Sequence, residues 1–122
     1  RLPVWFSGSL TERNVRRIVE LGDGWIPIMG STVDDIERGA RRLRDELAAA
    51  GRAPDDLEVQ GALAVVRDGD GRPDLAATMT AGAALVEAGV TNLSTHLKGL
   101  DPGLDDPFAA CAGLVEAFRA LH

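Results

Sequence analysis

Cysteine is almost absent from this 122-residue sequence, which contains only Cys111. One cysteine excludes an internal disulfide and any metal cluster built from cysteines of this chain. A lone free cysteine behaves as a small apolar side chain, so we expect Cys111 to be buried. Long apolar runs are missing too, since none approaches the roughly 20 residues that cross a bilayer and no basic segment precedes an apolar signal segment. We therefore expect a cytoplasmic protein with no membrane partner.

Positive charge is also scarce. The sequence has 13 Lys and Arg against 19 Asp and Glu, for a formal net charge of -6. With that balance no basic field would attract a nucleic acid, so a polynucleotide partner is not expected. Hydrophobic residues make up 45% of the chain, which is enough for a core, and the length is that of a single domain covering residues 1–122.

Familiar catalytic and metal-binding signatures are missing as well. The sequence contains no Ser-His-Asp arrangement, zinc motif, Walker loop or Gly-x-Gly-x-x-Gly fingerprint. His96 has no paired nucleophile or acid beside it, which favours a surface or structural role over a catalytic one. The acidic loop at 68–73 predicts a solvated turn, because Met79 stands where a calcium loop needs its bidentate Glu. No metal site is predicted, and the catalytic residues are unknown.

The most informative stretch of the chain is 21–31, which has the sequence Leu-Gly-Asp-Gly-Trp-Ile-Pro-Ile-Met-Gly-Ser. Gly22 can adopt the left-handed conformation that ends a helix. The apolar run at 25–29 is too short for anything but a buried strand. Pro27 would remove one donor from the ladder of that strand, so we expect irregular pairing there. The stretch therefore predicts a helix end, a strand and a second helix start.

Two predicted strands end in the same dipeptide. The segment 3–9 is a short apolar run that ends at Gly8-Ser9, and the strand described above is followed by Gly30-Ser31. Each serine is followed three residues later by an acidic residue, which predicts a capping box with the serine as the first cap. We therefore expect a helix to begin at each of the two serines.

The remaining elements continue this alternation. Apolar residues at helical spacing predict helices between Ser9 and Gly22, between Ser31 and Gly51, from Asp74 through Ala88, and from Pro107 onwards. Two more apolar segments predict strands at 57–66 and 90–96. The last helix is expected to bury an apolar stripe formed by Phe108, Cys111, Leu114, Val115, Phe118 and Leu121.

The order of the elements predicts an α/β fold. Strands that alternate with helices are typical of right-handed βαβ units on a parallel sheet. Four such units form either a small doubly wound sheet or half of a TIM (β/α)8 barrel. The chain begins at Arg1 directly on a strand and without a methionine, which favours the half barrel and a longer parent protein. Trp5 and Trp25 are expected to belong to the core.

The two Gly-Ser dipeptides predict an anion site. All strands of a parallel sheet end at the same edge, so Gly8-Ser9 and Gly30-Ser31 would bring two helix N-termini side by side. Glycine lets a phosphate approach the backbone, the first amides of each helix point at it, and the serine hydroxyls are additional donors. The alternative is that Gly-Ser is only a good helix entry. Further contacts are expected from three neighbouring polar side chains, Ser7, Arg13 and Thr32.

Three segments resemble the C-terminal portion of the luciferase-like monooxygenase family. They are Pro-Val-Trp-Phe-Ser-Gly-Ser at 3–9, Leu-Gly-Asp-Gly-Trp-Ile-Pro-Ile at 21–28 and Ala-Ala-Gly-Arg-Ala-Pro-Asp-Asp-Leu-Glu-Val at 49–59. Their order and spacing agree with the family, and the Leu-Gly-Asp-Gly-Trp run is the most specific. The family consists of flavin- and deazaflavin-dependent oxidoreductases on a TIM barrel. The resemblance covers essentially the whole chain and implies four βα units that form the C-terminal half of that barrel.

The resemblance also implies a site and its ligands. It implies that the phosphate of FMN or of the deazaflavin coenzyme is held by Ser7, Gly8, Ser9, Met29, Gly30 and Ser31. This chain has Ser7-Gly8 where many relatives have Gly-Gly. The implied partners are a flavin-type cofactor and a small-molecule substrate. The residues around the reactive ring come mostly from the N-terminal half of the family's barrel, so this chain alone is expected to be inactive.

Two functions stay open. The chain is either the cofactor-phosphate-binding half of an oxidoreductase, completed by an N-terminal half, or a non-catalytic half-barrel module that self-associates and can still bind a phosphate-bearing ligand. Both predict a partner, because a half barrel leaves two sheet edges and an inner face open. The partner is the missing half in the first function and a second copy of the chain in the other.

Overall fold

Strands and helices alternate along most of the chain in the computed structural model, which describes residues 1–121. Within these residues the strands are β1 (Trp5–Ser7), β2 (Gly24–Ile26), β3 (Glu58–Ala62) and β4 (Asn92–Ser94). The helices are α1 (Glu12–Leu21), α2 (Val33–Ala49), α3 (Leu75–Glu87), α4 (Leu97–Leu100) and α5 (Pro107–Arg119), and a 3₁₀ turn covers Pro54–Asp56. In this part of the chain no helix combines the length and the apolar composition that a bilayer span requires.

The strands belong to one sheet in the order β1-β2-β3-β4. The pairings of β1 with β2 and of β2 with β3 are parallel, with Trp5 opposite Gly24 and Trp25 opposite both Phe6 and Val59. Parallel strands that follow each other in the chain need a crossover connection, and the helices between these strands form those connections. The predicted α/β fold is therefore confirmed, and α4 is the one helix of residues 1–121 that the sequence pattern does not predict.

The chain divides into two compact units. One comprises Arg1–Gly61 and Leu85–Asn92, and the other comprises Ala62–Ala84 and the chain from Leu93 onwards. The core of the first unit consists of Val15, Ile18, Trp25, Ile36, Ala40, Leu43, Leu47, Leu57, Val59, Leu85, Ala88 and Val90. The buried side chains of the second unit are Leu63, Thr78, Met79 and Leu100.

Close packing explains the two glycines that precede Trp25 in the first unit. A Cβ added to Gly24 would overlap the indole ring of Trp5, and one added to Gly22 would lie 2.9 Å from the backbone of Ile18. Gly22 has φ -86° and ψ 148°, so the predicted left-handed helix end is wrong. The helix ends there because the chain becomes extended while the Gly22 N–H still donates to the Ile18 carbonyl at 2.8 Å.

The carboxylate of Asp23 connects the start of the chain to the sheet. It accepts a hydrogen bond from the Val4 N–H at 2.7 Å and two from the guanidinium of Arg1. The Val4 bond is the main reason that the pKa of Asp23 lies below its ordinary value of 3.8; partial desolvation opposes the shift, and Arg1 and Arg52 add to it. The backbone of Asp23 also donates to the Val4 carbonyl and accepts from Glu58, so this residue bonds to the segment before β1 and to β3.

Arg52 closes the C-terminal end of α1 from the loop after α2. Its guanidinium donates to the carbonyls of Ile18 at 3.2 Å, Val19 at 2.8 Å and Gly22 at 2.9 Å. Carbonyls in the last turn of a helix have no partner within the helix, and a cation there also opposes the negative end of the helix dipole. Arg52 therefore supplies the C-terminal cap that the sequence pattern assigns to Gly22.

The strands are shorter than predicted, for local reasons. β2 ends at Ile26, immediately before Pro27, because proline has no N–H to donate to the next rung of the ladder. β3 ends at Ala62, although the Leu63 N–H still donates to the Ser94 carbonyl of β4 at 2.7 Å. Further along, the N–H of Val66 donates to the hydroxyl of Thr78 at 2.9 Å.

In the second unit several sequence predictions are confirmed. Asp74 caps α3, since its Oδ1 accepts the Ala77 N–H at 2.9 Å. The carboxylate of Asp68 accepts the N–H groups of Asp70 and Arg72, so the acidic loop is a turn that bonds to itself. His96 is exposed at the start of α4, in agreement with a surface position.

The last helix begins as predicted, but its apolar stripe is not buried. Asp106 caps α5 by accepting the Ala109 N–H at 3.0 Å, and Pro107 is its first residue. In α5, all of which is described, no residue is buried, and Phe108 is 88% exposed. Leu114 is half-buried. The side chains predicted to be buried but found exposed are Phe108, Cys111, Val115, Phe118 and Leu121. Helical periodicity identifies an apolar face but not whether anything covers it.

Replacing Gly24 with Ala should destabilise the protein, because the added methyl group overlaps the Trp5 ring. Overpacking of this kind costs about 1–3 kcal/mol. The matched control is Gly69→Ala, whose Cβ would meet no heavy atom within 4 Å. We expect the control to change the free energy of unfolding by less than about 0.5 kcal/mol. Urea denaturation of the three proteins measures both values, and equal effects of the two substitutions would contradict this packing role.

Replacing Asp23 with Asn should lower stability in a pH-dependent way. The pKa of Asp23 in the folded protein lies below 3.8, so its ionised form stabilises the fold fully above pH 3.8. This contribution is lost as the pH falls through the lowered pKa. The wild type should therefore be more stable than Asp23→Asn at neutral pH, and the difference should shrink below pH 3.8. Denaturation curves across this range test the prediction, and a difference that does not change with pH would refute it.

Candidate functional site

A cleft of about 330 Å³ opens in the first unit beside the ends of β1 and β2. We call it the turn cleft, because the turns that follow these two strands contribute to its walls. The turn after β1 contributes residues 8–10 to the lining. β2 and the turn that follows it contribute Trp25, Ile28 and Ser31. The remaining lining residues lie on one face of α2 and are Asp35, Arg38, Gly39 and Arg42. The cleft is thus bounded by the turns that the sequence pattern predicts for an anion site.

The structure brings together part of the predicted set of site residues. Gly8, Ser9 and Ser31 line the turn cleft. The other three predicted residues, Ser7, Met29 and Gly30, lie next to them in the chain but outside the lining of the cleft. Met29 is 98% exposed, so only its backbone is suited to a ligand in the turn.

Both predicted glycines adopt the left-handed backbone conformation. Gly8 has φ +103° and Gly30 has φ +88°. A Cβ added to either would meet no heavy atom within 4 Å, so each glycine faces open space. A backbone of this shape beside an open volume lets an anionic group approach the peptide amides closely.

Backbone donors are available in the turn after β1. Among residues 1–121 nothing accepts a hydrogen bond from the N–H of Ser9 or of Leu10. The turn after β2 is different, because Ser31 donates both its hydroxyl, at 2.6 Å, and its N–H, at 3.1 Å, to the Ile28 carbonyl. Both donors of Ser31 are therefore already used within its own turn.

The two helices beside the cleft begin later than predicted. The cap of α1 is Thr11, whose hydroxyl accepts the Asn14 N–H at 3.2 Å, and not Ser9. The cap of α2 is Thr32, which forms a capping box with Asp35, and not Ser31. The Ser9 carbonyl instead accepts bonds from Thr11 and Asn14, which hold an extra turn before α1. The Ser9 hydroxyl is consequently not used as a cap.

Trp25 holds the turn after β1 in place. Its Nε1 donates to the Gly8 carbonyl at 3.0 Å, and the side chain is only 4% exposed. The ring packs against Gly39 of α2 so closely that a Cβ there would overlap it. The predicted core position of Trp25 is confirmed, and the indole also positions the first wall of the cleft.

Two arginines of α2 give the cleft positive charge. Arg42 donates to the Leu10 carbonyl at 3.0 Å and forms an ion pair with Glu12. Arg38 pairs with Asp35 at 2.7 Å. The pKa of Asp35 is lowered, mainly by the Thr32 N–H and then by the Thr32 hydroxyl and Arg38, so this carboxylate is charged at neutral pH.

Neither arginine follows from the predicted motifs. The sequence pattern favours Arg13, which is exposed and does not line the cleft. The signal that would have found them is the spacing of Asp35, Arg38 and Arg42, which places three charges on one face of α2. In the described part of the chain, no group of His, Cys, Asp and Glu side chains could hold a metal ion.

The segment that contains the turn cleft matches a known family. Residues 1–90 match the family model described as luciferase-like monooxygenase. The chain belongs to the luciferase-like monooxygenase family. The matched segment contains the whole cleft and excludes β4, α4 and α5. The resemblance inferred from the sequence is therefore confirmed.

The chain is also similar to part of a solved structure. The crystal structure of DmoA from Hyphomicrobium sulfonivorans aligns with 79% of this chain, at 15% sequence identity and a TM-score of 0.40. The chain covers 18% of the length of DmoA. No curated protein matches the chain.

Several groups at the turn cleft are of types that bind anions. Luciferase-like monooxygenases generally use reduced flavin or deazaflavin cofactors. At the turn cleft these groups are the amides of Ser9 and Leu10 and the nearby guanidinium of Arg38, and Gly8 leaves the approach to the backbone open.

Proposed function

We propose that this chain is the cofactor-phosphate-binding part of a flavin- or deazaflavin-dependent oxidoreductase of the luciferase-like family. The observation that carries the proposal is the turn cleft, in which left-handed Gly8 and the unpaired amides of Ser9 and Leu10 border an open volume. The cleft lies wholly within the segment that matches the family. The four strand–helix units are, in this proposal, the C-terminal half of a TIM barrel.

In this proposal the chain binds and orients the cofactor without contacting the reacting atoms. The phosphate is held at the two turns, by Ser7, Gly8, Ser9, Met29, Gly30 and Ser31. The glycines allow close approach, and the amides after β1 donate to the phosphate oxygens. The bound flavin-type ring supplies the redox chemistry. Contacts with the ring and with a small-molecule substrate belong to the rest of the barrel.

Titration with FMN and with the deazaflavin coenzyme tests the proposal. One of the two should bind the wild-type protein, and Ser9→Ala should weaken that binding roughly tenfold or more, the value of one hydrogen bond to a charged group. The stability of this variant should not change, because the Ser9 hydroxyl bonds to no other described residue. Isothermal titration calorimetry measures the affinities.

The control for this titration is Thr80→Ala, which removes a hydroxyl from an exposed position of α3 outside the cleft. It should leave the affinity unchanged. If neither cofactor binds the wild-type protein at saturating concentration, the proposed function is wrong. If Ser9→Ala and Thr80→Ala bind equally well, the phosphate does not contact the Ser9 hydroxyl.

The exposed face of α5 favours a second candidate function. Phe108 is 88% exposed and Val115 is 44% exposed on a helix that carries no buried residue within its described length. Large apolar side chains left in water mark surfaces of association. In this alternative the chain is a non-catalytic half-barrel module that associates with a second copy, whether or not it binds a phosphate-bearing ligand.

The oligomeric state tests this alternative. Size-exclusion chromatography with light scattering should give a dimer or larger species, and Phe108→Ser should shift it toward the monomer. The control is Leu2→Ser, which removes an apolar side chain of similar exposure, 85% against 88%, from the other end of the chain. A wild-type protein that stays monomeric as its concentration rises would rule out self-association.

A further inference from the structure

The two arginines of the turn cleft are held in different ways. Arg42 uses Nη1 for the Leu10 carbonyl and Nη2 for Glu12, and its side chain is 38% exposed. Arg38 makes a single ion pair, with Asp35, and its side chain is 74% exposed. Both Nη atoms of Arg42 are therefore bonded within the protein, whereas most of the Arg38 side chain is exposed to water at the cleft.

Asp35 can lose Arg38 without losing its structural role. Its Oδ2 accepts the Thr32 N–H at 3.0 Å, and its Oδ1 is the atom that pairs with Arg38. The capping box that starts α2 uses Oδ2 and the Asp35 N–H, and neither of these contacts Arg38. The helix start is thus independent of the ion pair.

An entering phosphate would compete well for Arg38. Exposed ion pairs between neighbouring side chains of a helix contribute little to stability, so breaking the Asp35–Arg38 pair costs little. A guanidinium binds phosphate through parallel charge-assisted hydrogen bonds, which are among the strongest that a side chain can form. Exchange of the Asp35–Arg38 ion pair for a contact between Arg38 and the phosphate is therefore favourable.

We propose that Arg38 is a specificity-determining residue that leaves Asp35 on binding and contacts the cofactor phosphate, so that the cleft selects phosphorylated over phosphate-free forms of the cofactor. Arg42 is a positioning residue, which holds the Leu10 carbonyl and with it the turn after β1. This inference rests on the proposed function, because it names a further contact of the same phosphate.

The test compares two ligands that differ only in the phosphate, FMN and riboflavin. Arg38→Gln should weaken FMN binding about tenfold, the effect of losing one charge-assisted contact at a partly exposed position. Riboflavin binding should not change. If the wild type prefers the deazaflavin coenzyme, that coenzyme and its phosphate-free form replace the pair.

The matched control is Arg41→Gln on the same helix. Arg41 pairs with Glu37 at 2.8 Å and is 68% exposed, close to the values for Arg38, but it does not line the turn cleft. It should leave the affinity for both ligands unchanged. The comparison separates a contact with the phosphate from a general loss of positive charge on α2.

A second variant should act in the opposite direction. Asp35→Asn removes the competing charge from the cleft, while the amide oxygen can still accept the Thr32 N–H. FMN should bind roughly two- to fivefold more tightly, which corresponds to the loss of one exposed ion pair. Riboflavin binding should again be unchanged.

The outcomes distinguish the inference from the function on which it rests. A wild type that binds neither cofactor overturns both. A wild type that binds FMN while Arg38→Gln weakens FMN no more than riboflavin, or no more than Arg41→Gln does, overturns the inference and leaves the proposed function intact. Weaker FMN binding by Asp35→Asn would also overturn the inference. It would mean that the Asp35 carboxylate assists FMN binding and does not compete with the phosphate for Arg38.

Discussion

The first unit depends on the position of a single buried indole. Trp25 lies in the sheet opposite Phe6 and Val59, packs onto Gly39 of α2, and donates its one N–H to the Gly8 carbonyl. A large apolar ring with one polar atom can be buried only if that atom finds an acceptor. The bond that satisfies the indole therefore also fixes the turn after β1, so the packing of the core and the shape of the cleft have one cause.

The protein is acidic overall, and yet the ligand proposed for its cleft is an anion. A net charge of -6 sets the long-range field, but binding depends on the few groups within hydrogen-bond distance of a ligand. Some of the negative charge is already used internally, since Asp23 and Asp35 both accept backbone N–H groups and pair with arginine. At the turn cleft the amides of Ser9 and Leu10 have no acceptor among the described residues, and Arg38 has only an exposed ion pair.

Much of the architecture could be predicted from local patterns, and the errors share a cause. The alternation of strands and helices, the caps at Asp74 and Asp106 and the turns at the Gly-Ser dipeptides follow from residues close together in the chain. A glycine at position 22 is compatible with a left-handed helix end, whereas its real constraint is the close approach of the Ile18 backbone. Competing caps one or two residues apart cannot be ranked without knowing where the chain goes next.

The sequence by itself determined the order of the elements, the α/β class and the family, because periodicity, caps and short motifs act over a few residues. Only the tertiary structure decided which side chains surround the cleft. Arg42 reaches the Leu10 carbonyl across 32 positions of the chain, and Trp25 reaches Gly8 across 17. The tertiary structure also decided that the apolar face of α5 is exposed. Apolar residues at helical spacing show which face of a helix favours burial, but they do not show whether another element covers that face.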